Sequence, residues 1–270
     1  MHRKILWIVV AIAVVGLAAV LYPQRATEPP PLDVDLPEPS QADPAGEPPT
    51  EPEPAPAFVA ADTPEPPVLL PALDQSDALA RAALAEAAGA PLVERYLVKD
   101  ELVRKIVATI DNLPREAIWL KSRAVPPIEG SFLVEGSEDA RVISPANYAR
   151  YAPLAQLVGA VDARALAATY QRYYPLLQQA YEELGYPGRQ FHNRAIAVID
   201  HLLATPSVTG PIRLARPHVL YTYADPALEA LSPGQKALLR IGPENAGIIR
   251  AKLIELRAAL EDLSAASPAE

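Results

Sequence analysis

The fold follows from residues 162–185, which read DARALAATYQRYYPLLQQAYEELG. Asp162 is a favourable N-cap and Gly185 a favourable stop, so residues 163–184 are predicted to form the longest helix of the chain. Apolar and tyrosine side chains recur along it every three or four residues and cover a stripe of about 100°. The stripe consists of Leu166, Tyr170, Tyr173, Tyr174, Leu177, Tyr181 and Leu184. It predicts a helix that packs against other helices and bends at Pro175, with stacking of the tyrosines on sugars or a peptide as the alternative use.

Helix signals recur on both sides of this stretch. Further helices are predicted over residues 74–88, 99–113, 192–204, 233–241 and 243–263. In the helix over 99–113, Arg104, Ala108 and Asp111 lie away from the apolar face, and Pro114 ends the helix. These segments predict a helical bundle with a shared core.

The last helix carries a seam of apolar residues that resembles a heptad pattern. Its members are Ala246, Ile249, Leu253, Leu256, Leu260 and Leu263. Spacings of three and four residues place them on one face, which then packs against other helices. Because the seam is shorter than three heptads, packing within the chain is the first interpretation. A homodimer through this C-terminal helix is the alternative.

One segment has a β pattern. Residues 131–134 and 141–143 are short β-prone runs on either side of a polar turn, which predicts one short β-hairpin. A single hairpin cannot carry a fold. The predicted fold class is therefore mainly α: a compact multi-helix domain over residues 72–264 with one short hairpin, followed by a disordered tail over 265–270.

An apolar segment lies near the start of the chain. Residues 5–22 contain no charged side chain, and as a helix they would span roughly 27 Å, about the thickness of the bilayer hydrocarbon core. Arg3 and Lys4 lie in the short tip 1–4 before it, so the positive-inside rule places the N-terminus in the cytoplasm and the domain outside. A single transmembrane helix is predicted, with a cleaved signal peptide as the alternative.

Residues 23–71 are predicted to be a disordered, proline-rich linker. They contain about half of the 31 prolines, and ten acidic side chains against Arg25 alone. Proline removes backbone donors and like charges repel, so the segment is expected to be extended and to act as a spacer. A proline-rich ligand for the aromatic groove of a partner is the alternative.

The composition excludes several classes of function. The formal net charge is -9, and the linker carries nearly all of it, so the folded part has no basic stripe and nucleic-acid binding is not expected. The absence of cysteine excludes disulfides, thiolate metal sites and cysteine nucleophiles. No glycine-rich phosphate loop or serine elbow is present, and no cofactor is expected.

Five short motifs resemble a known family. They are PANYARY at 145–151, YPLLQQAY at 174–181, VIDHLLATP at 198–206, LSPGQK at 231–236 and RIGPEN at 240–245. In this order they resemble the proteobacterial family catalogued as domain of unknown function 3014, over residues 69–262. The resemblance implies a bacterial inner-membrane protein with an N-terminal anchor and a proline-rich stretch, and it implies no catalytic residue.

The predicted helix over 192–204 carries two histidines, which are the best candidates for a metal or acid-base site. At 100° per residue, His192 falls on the apolar face and His201 lies nearly opposite, in line with Arg194. The two histidines therefore cannot share a metal, and no metal site is predicted. His192 is interpreted as a hydrogen-bonded side chain at the edge of the core, and a general base is the alternative.

The candidate binding residues are aromatic and cationic side chains close to predicted loops. They are Asn147, Tyr148, Arg150, Tyr151, Arg194 and His201. Mixed aromatic and cationic groups are typical of recognition surfaces. Glu182, Glu183 and Asp200 are the carboxylates that an enzyme site assembled by the fold would use.

The sequence favours a non-enzymatic protein of the bacterial inner membrane. Residues 5–22 would hold it there by a single pass, and its periplasmic helical domain would bind a partner protein or an envelope polymer such as peptidoglycan or a polysaccharide. The alternative is an envelope hydrolase or transferase with a carboxylate-based site.

Overall fold

The computed structural model describes residues 53–56, 58, 69–115, 122–126, 128, 130–217 and 220–264, with the backbone alone at 87, 88, 91 and 92. These residues form a mainly helical domain with two small antiparallel strand pairs. The helices are α1 (Asp77–Ala88), α2 (Ala90–Tyr96), α3 (Leu102–Asn112), α4 (Ala146–Gly159), α5 (Ala163–Glu183), α6 (Phe191–Leu203), α7 (Pro226–Glu229), α8 (Pro233–Arg240) and α9 (Pro243–Ser264). Single 3-10 turns cover Leu73–Gln75 and Glu138–Ala140.

Helix α9 lies at the centre of the domain and contacts α4, α5, α6 and α8. Its seam is buried at Ala246, Ile249, Leu253, Leu256 and Leu260, and half-buried at Leu263. The seam therefore packs within the chain, and a homodimer through this helix stays a prediction. With 22 residues, α9 is one residue longer than α5 because it continues to Ser264, so the prediction that α5 is the longest helix is wrong.

Helix α5 begins and ends where its sequence signals predict. The Asp162 carboxylate accepts hydrogen bonds from the amides of Arg164 and Ala165 at 2.9 and 3.3 Å. The helix ends at Glu183, just before Gly185 with its left-handed φ of 100°. Three tyrosines of its stripe are buried: Tyr170, Tyr174 and Tyr181. The stripe is thus used in packing at these three tyrosines, whereas Leu184 at its end is 41 % exposed.

A carboxylate from α1 caps the start of α3. Asp77 accepts hydrogen bonds from the amides of Glu101 and Leu102 at 2.8 and 2.7 Å. Glu101 is the N-cap residue of α3 and has a left-handed φ of 54°, a conformation that costs free energy for a residue other than glycine. The two hydrogen bonds that Asp77 accepts offset part of that cost and connect α3 to α1.

Helix α2 was not expected. Gly89, with φ 88°, ends α1 as predicted, but a second helix starts at the next residue. Pro91 lies in its first turn, where a missing amide donor costs nothing. The proline therefore begins a helix here and does not terminate one.

Two side chains expected on the solvent side of α3 are buried. Asp111 is 4 % exposed and Ala108 is 6 % exposed. Helix α6 packs against α3 and brings Arg194 to the carboxylate, with its Nε 2.8 Å from Asp111 Oδ1. The helical period shows which residues share a face, but it cannot show that a second helix covers the polar face.

The strands form two hairpins, whereas one was expected. The predicted hairpin pairs β1 (Val134–Glu135) with β2 (Val142–Ile143), and a second pairs β3 (Leu214–Ala215) with β4 (Thr222–Tyr223). A bridge between Val142 and Arg213 joins them. They cover a small second core of Ile143, Ile212, Leu214, Tyr223 and Leu239. The second hairpin was not predicted from the sequence.

Within the part of the chain that the structure describes, no helix is both long enough and apolar enough to cross a membrane. The predicted anchor at 5–22 and the predicted tail at 265–270 lie outside the described residues, as does most of the predicted linker.

Candidate functional site: an aromatic groove occupied by the chain's own segment

A groove lined by aromatic and polar side chains lies where α5 meets the start of α6. We call it the aromatic groove and define it by Tyr170, Tyr174, Gln190, His192 and Asn193. Residues 53–56 and 58, here called the docked segment, lie in it. They belong to the stretch interpreted from the sequence as a spacer, and in the structure they contact the domain.

Backbone atoms of Glu53 anchor the start of the docked segment. Its amide donates to the Gly188 carbonyl at 2.8 Å. Its own carbonyl accepts from the Gln190 side chain at 3.2 Å. These two bonds recognise the polypeptide backbone and so do not depend on the side chain at this position.

The Glu53 carboxylate binds the N-terminus of α6. Its Oε2 accepts from the Gln190 amide and from the Asn193 side chain, both at 3.0 Å. The N-cap residue of α6, Gln190, makes no capping hydrogen bond with its own side chain. The carboxylate therefore satisfies an amide that would otherwise lack an acceptor, at the end of the helix where its dipole attracts negative charge.

Phe58 occupies an aromatic pocket in the groove. Its ring makes edge-to-face contacts with Tyr174, Tyr170 and His192, at centroid separations of 4.9, 6.2 and 5.4 Å. Its amide also donates to the Pro56 carbonyl at 3.1 Å, which folds the chain into a tight turn before the ring enters the pocket. Edge-to-face packing of this kind adds to the free energy gained by burying the ring.

Polar groups around Tyr174 hold the pocket in shape. Its hydroxyl donates to Gln178 Oε1 at 2.8 Å and lies 3.1 Å from Gln190 Oε1. Burial, with smaller contributions from the nearby Glu182 and Glu53 carboxylates, raises the pKa of Tyr174 to about 12. The phenol therefore stays protonated at neutral pH and remains a hydrogen-bond donor.

His192 forms the buried side of the pocket. It is 2 % exposed, and neither ring nitrogen has a hydrogen-bond partner among the described residues. Burial lowers the pKa of its imidazole, so the ring is neutral at physiological pH. The sequence interpretation placed a hydrogen-bonded histidine at the edge of the core. It is corrected on the hydrogen bond, because the described residues that cover the ring, Phe58 and the tyrosines of α5, supply no polar partner.

An apolar cavity of about 60 Å³ lies behind the pocket, between α1, α3 and α5. Tyr170 and Phe191 line both the cavity and the aromatic cluster around the groove. The remaining lining is aliphatic apart from Tyr173, and no charged side chain reaches it. The two tyrosines are therefore the only lining residues with a polar group in the side chain.

Four of the residues predicted to bind a partner make contacts within the domain, and two of them, Asn147 and Arg150, support the first hairpin and its approach. The Asn147 side chain is fully buried and binds both backbone polar groups of Leu133. Arg150 donates to the carbonyls of Ser131 and Gly130 at 2.8 and 2.9 Å. Tyr151 is buried, and the half-buried Tyr148 ring lies against Gly242, where a Cβ atom would collide with it. A role of these four residues in binding stays a prediction.

The other two predicted binding residues also make contacts within the domain. Arg194 binds Asp111 through its side chain and, at 2.7 Å, through the Asp111 carbonyl. His201 Nε2 lies 2.8 Å from Ser232 Oγ, at the capping box that starts α8. Their role in binding stays a prediction as well.

The carboxylates considered for an enzyme site are held by other side chains. Glu183 pairs with Arg104 at 2.8 Å, and Asp200 pairs with Arg257. Glu182 accepts from Gln178 at 2.8 Å. Within the described ranges, no cluster of three His, Asp or Glu side chains could hold a metal ion.

Sequence reasoning missed Glu53, Phe58, Gln190 and Asn193. Two signals point to them. Helix α6 starts after Gln190, which is not a favourable cap, so its first amides need an acceptor from elsewhere. Phe58 is also the only aromatic residue of 23–71, where a purely solvated spacer needs none.

Comparisons with known proteins bear on the family. A search of curated proteins gave no match, and a search of solved structures gave none either. The family model described as Protein of unknown function (DUF3014) matches residues 102–257, which run from the start of α3 into α9 and include both sides of the aromatic groove. That span is shorter at both ends than the resemblance over 69–262, and it covers more than half of the chain. The chain therefore belongs to the DUF3014 family.

Proposed function

We propose that this protein is a non-enzymatic, membrane-tethered module that binds a partner protein by taking an extended peptide segment into the aromatic groove. The observation that carries the proposal is the docked segment itself. It lies in the groove through a backbone amide, a backbone carbonyl, a carboxylate and an aromatic ring. A partner segment with the same groups in the same order meets the same contacts.

The contacts favour a polypeptide over an envelope polysaccharide. Gly188 accepts from a peptide amide, and the Gln190 side chain donates to a peptide carbonyl. A sugar chain has hydroxyl groups but no repeating amide and carbonyl pair along its length. Peptidoglycan carries both a sugar chain and stem peptides with amide and carbonyl groups. It is therefore an alternative ligand, which crosslinking in the native host distinguishes from a protein.

The proposed setting is the periplasmic side of a bacterial inner membrane. Residues 5–22 are long and apolar enough to anchor the chain, and Arg3 and Lys4 orient it with the domain outside the cytoplasm. The proline-rich stretch that follows would act as a tether, and the docked segment within it would serve as the resident occupant of the groove. The domain would thereby meet partners at a distance from the bilayer.

Resident occupancy predicts competition. A ligand must displace the docked segment, so its apparent affinity is reduced by the fraction of molecules whose groove is empty. The Phe58→Ala chain loses the ring that fills the pocket and should have an open groove. The matched control is Leu69→Ala, since Leu69 is 97 % exposed and lies on the same approach to the domain.

The binding test uses the full chain in detergent micelles and a fluorescent peptide with the sequence of residues 50–60, TEPEPAPAFVA. We expect the Phe58→Ala chain to bind it about tenfold more tightly than the wild-type and Leu69→Ala chains. A peptide with alanine at the phenylalanine position should bind at least tenfold more weakly. The absence of binding to all three chains, or equal binding of both peptides, would overturn the proposal.

A second test identifies the partner in the native host. A photo-crosslinking amino acid at Asn193, which contacts the docked segment, should label a protein partner more strongly in Phe58→Ala cells than in wild-type cells. The same label at the exposed Asp262 of α9 is the control. Equal labelling in Phe58→Ala and wild-type cells, or labelling of glycan alone, would argue against a protein ligand of this groove.

A further inference from the structure

The buried imidazole of His192 is the least satisfied polar group that borders the docked segment. A neutral imidazole has one donor nitrogen and one acceptor nitrogen. Both are buried here, and neither is hydrogen-bonded to any described residue. Leaving such groups unpaired in an apolar site costs free energy, so native proteins rarely keep them without a function.

The chain's own segment cannot satisfy this ring. The group of the segment that reaches His192 is the side chain of Phe58, which contacts it edge to face at an interplanar angle of 84° and has no polar atom. The Tyr174 hydroxyl already donates to Gln178 Oε1 at 2.8 Å, and it accepts from the His192 backbone amide at 3.4 Å. The docked segment thus fits the pocket in shape but not in polarity.

The separation of the two rings is comparable with the reach of a hydroxyl on the para carbon of an inserted ring. The Phe58 and His192 centroids are 5.4 Å apart. A phenol oxygen lies ~2.8 Å from its own ring centre, and a hydrogen bond adds ~2.8 Å. For a hydrogen bond, the inserted tyrosine ring has to turn from the edge-to-face arrangement until its oxygen lies in the imidazole plane. A ring nitrogen there can either accept from the hydroxyl or donate to it.

We propose that the preferred ligand of the aromatic groove is a peptide with a carboxylate residue followed, five positions later, by tyrosine, and that His192 is the residue that selects tyrosine over phenylalanine. The inference rests on the proposed function. The spacing of five is that between Glu53 and Phe58. The hydroxyl of the ligand's tyrosine is required because it can form a hydrogen bond with His192. Residues 53–58 are then a weaker copy of the partner's sequence, which holds the groove until a tyrosine-bearing segment displaces it.

The experiment compares two peptides, TEPEPAPAFVA and TEPEPAPAYVA, on the full-length Phe58→Ala chain in detergent micelles. We expect the tyrosine peptide to bind about tenfold more tightly, the change that one hydrogen bond to a buried partner gives. In the Phe58→Ala, His192→Leu chain this preference should disappear or reverse, because leucine cannot bond the phenol.

Each outcome separates this inference from the proposed function. Equal affinity of the two peptides for the Phe58→Ala chain overturns the tyrosine preference and leaves the groove as a peptide site. A tyrosine preference that persists with His192→Leu overturns the role of His192. The absence of binding by either peptide overturns the proposed function itself.

A second measurement does not require His192 to be replaced. In the full chain with Phe58→Tyr, the docked segment should bind more tightly than in the wild type. Hydrogen exchange at the Gln190 amide, which donates to Glu53, should then slow by about tenfold. The nitrogen-15 signals of the His192 ring should also shift towards those of a hydrogen-bonded imidazole. Unchanged exchange together with unchanged ring signals would refute the inference.

Discussion

The polar cluster around Asp111 and the aromatic groove around His192 each bury an ionisable side chain. The two regions differ in the number of hydrogen bonds that the buried side chain makes. Asp111 is 4 % exposed and His192 is 2 % exposed. The Asp111 carboxylate accepts from Arg194 at 2.8 Å, from Arg115 at 3.1 Å and from the Tyr186 hydroxyl at 3.3 Å. The His192 ring accepts and donates no hydrogen bond among the described residues.

Helix α6 contributes to both regions, because Arg194 and His192 are two positions apart and so point about 200° away from each other. One face of α6 completes a polar network inside the domain, and the other presents an unsatisfied ring to a groove. A buried polar group whose partners all come from the domain is structural. A buried polar group without partners, beside a groove that already holds a peptide segment, indicates where an outside group is expected.

The largest expected effect on stability comes from removing the Asp111 carboxylate. Asp111→Ala removes the acceptor of Arg194 and should lower the free energy of unfolding by about 3 kcal/mol, at the lower end for a buried ion pair because Arg194 retains some access to water. Denaturant unfolding of the full chain, followed by circular dichroism, measures it. Asp139→Ala, in the exposed turn of the first hairpin, should change the same quantity by less than ~0.5 kcal/mol. Equal effects of both substitutions would mean that the Asp111 network adds nothing to stability.

Phe58→Ala addresses the groove and should have the next largest effect. It removes a half-buried ring and should weaken docking of the segment by about 2 kcal/mol, while global unfolding changes little because the main core remains. Hydrogen exchange of the amides of Glu53 and Gln190, which are bonded only when the segment is docked, reports this directly. Leu69→Ala should leave both amides protected. Protection that survives Phe58→Ala would show that the ring is not an anchor.

Replacing His192 and His201 by leucine should change the free energy of unfolding in opposite directions. His192→Leu replaces an unsatisfied imidazole and should raise the free energy of unfolding by about 1 kcal/mol. His201→Leu on the same helix is the matched control. His201 bonds to Ser232 at 2.8 Å, so its loss should cost about 1 kcal/mol. A loss of stability in both variants would indicate that His192 has a partner after all.

The smallest expected effect is a pH dependence. Burial lowers the pKa of His192 in the folded state, and burial together with Arg194 lowers that of His201. Between these lowered values and the ordinary value of about 6.5, the unfolded chain binds more protons, so stability rises with pH and is lost as pH falls through this window. Unfolding measured from pH 5 to 7.5 should show the slope. His192→Leu should reduce it, and an unchanged slope would assign it to His201 and other groups.

Local signals in the sequence predicted much of the helical framework. Asp162 and Gly185 bound α5, Gly89 ends α1, and Pro114 follows α3, all as expected. These signals work because a cap or a stop acts on amides and carbonyls only a few residues away. The hairpin at β1 and β2 was predicted for the same reason, since both strands flank one short turn.

The candidate site was not predictable in this way. The helical period placed Asp111 opposite the apolar face of α3, and only the packing of α6 buried it beside Arg194. The period also placed His192 on the apolar face, which is correct, but nothing in it indicates that the ring lacks a partner. Helix α2, with seven residues, and the β3–β4 hairpin were not predicted.

By itself, the sequence determined a mainly helical domain of the DUF3014 family and the bounds of most of its helices, because those features depend on neighbours along the chain. It also carries the prediction of an anchored, proline-rich N-terminal region. Tertiary structure alone decided that Glu53 caps α6 and that Phe58 enters the aromatic groove. It also decided that the His192 ring has no hydrogen-bond partner among the described residues. Glu53 and Gln190 are 137 positions apart, and contacts over such separations depend on how the helices pack against one another, which no short-range pattern encodes.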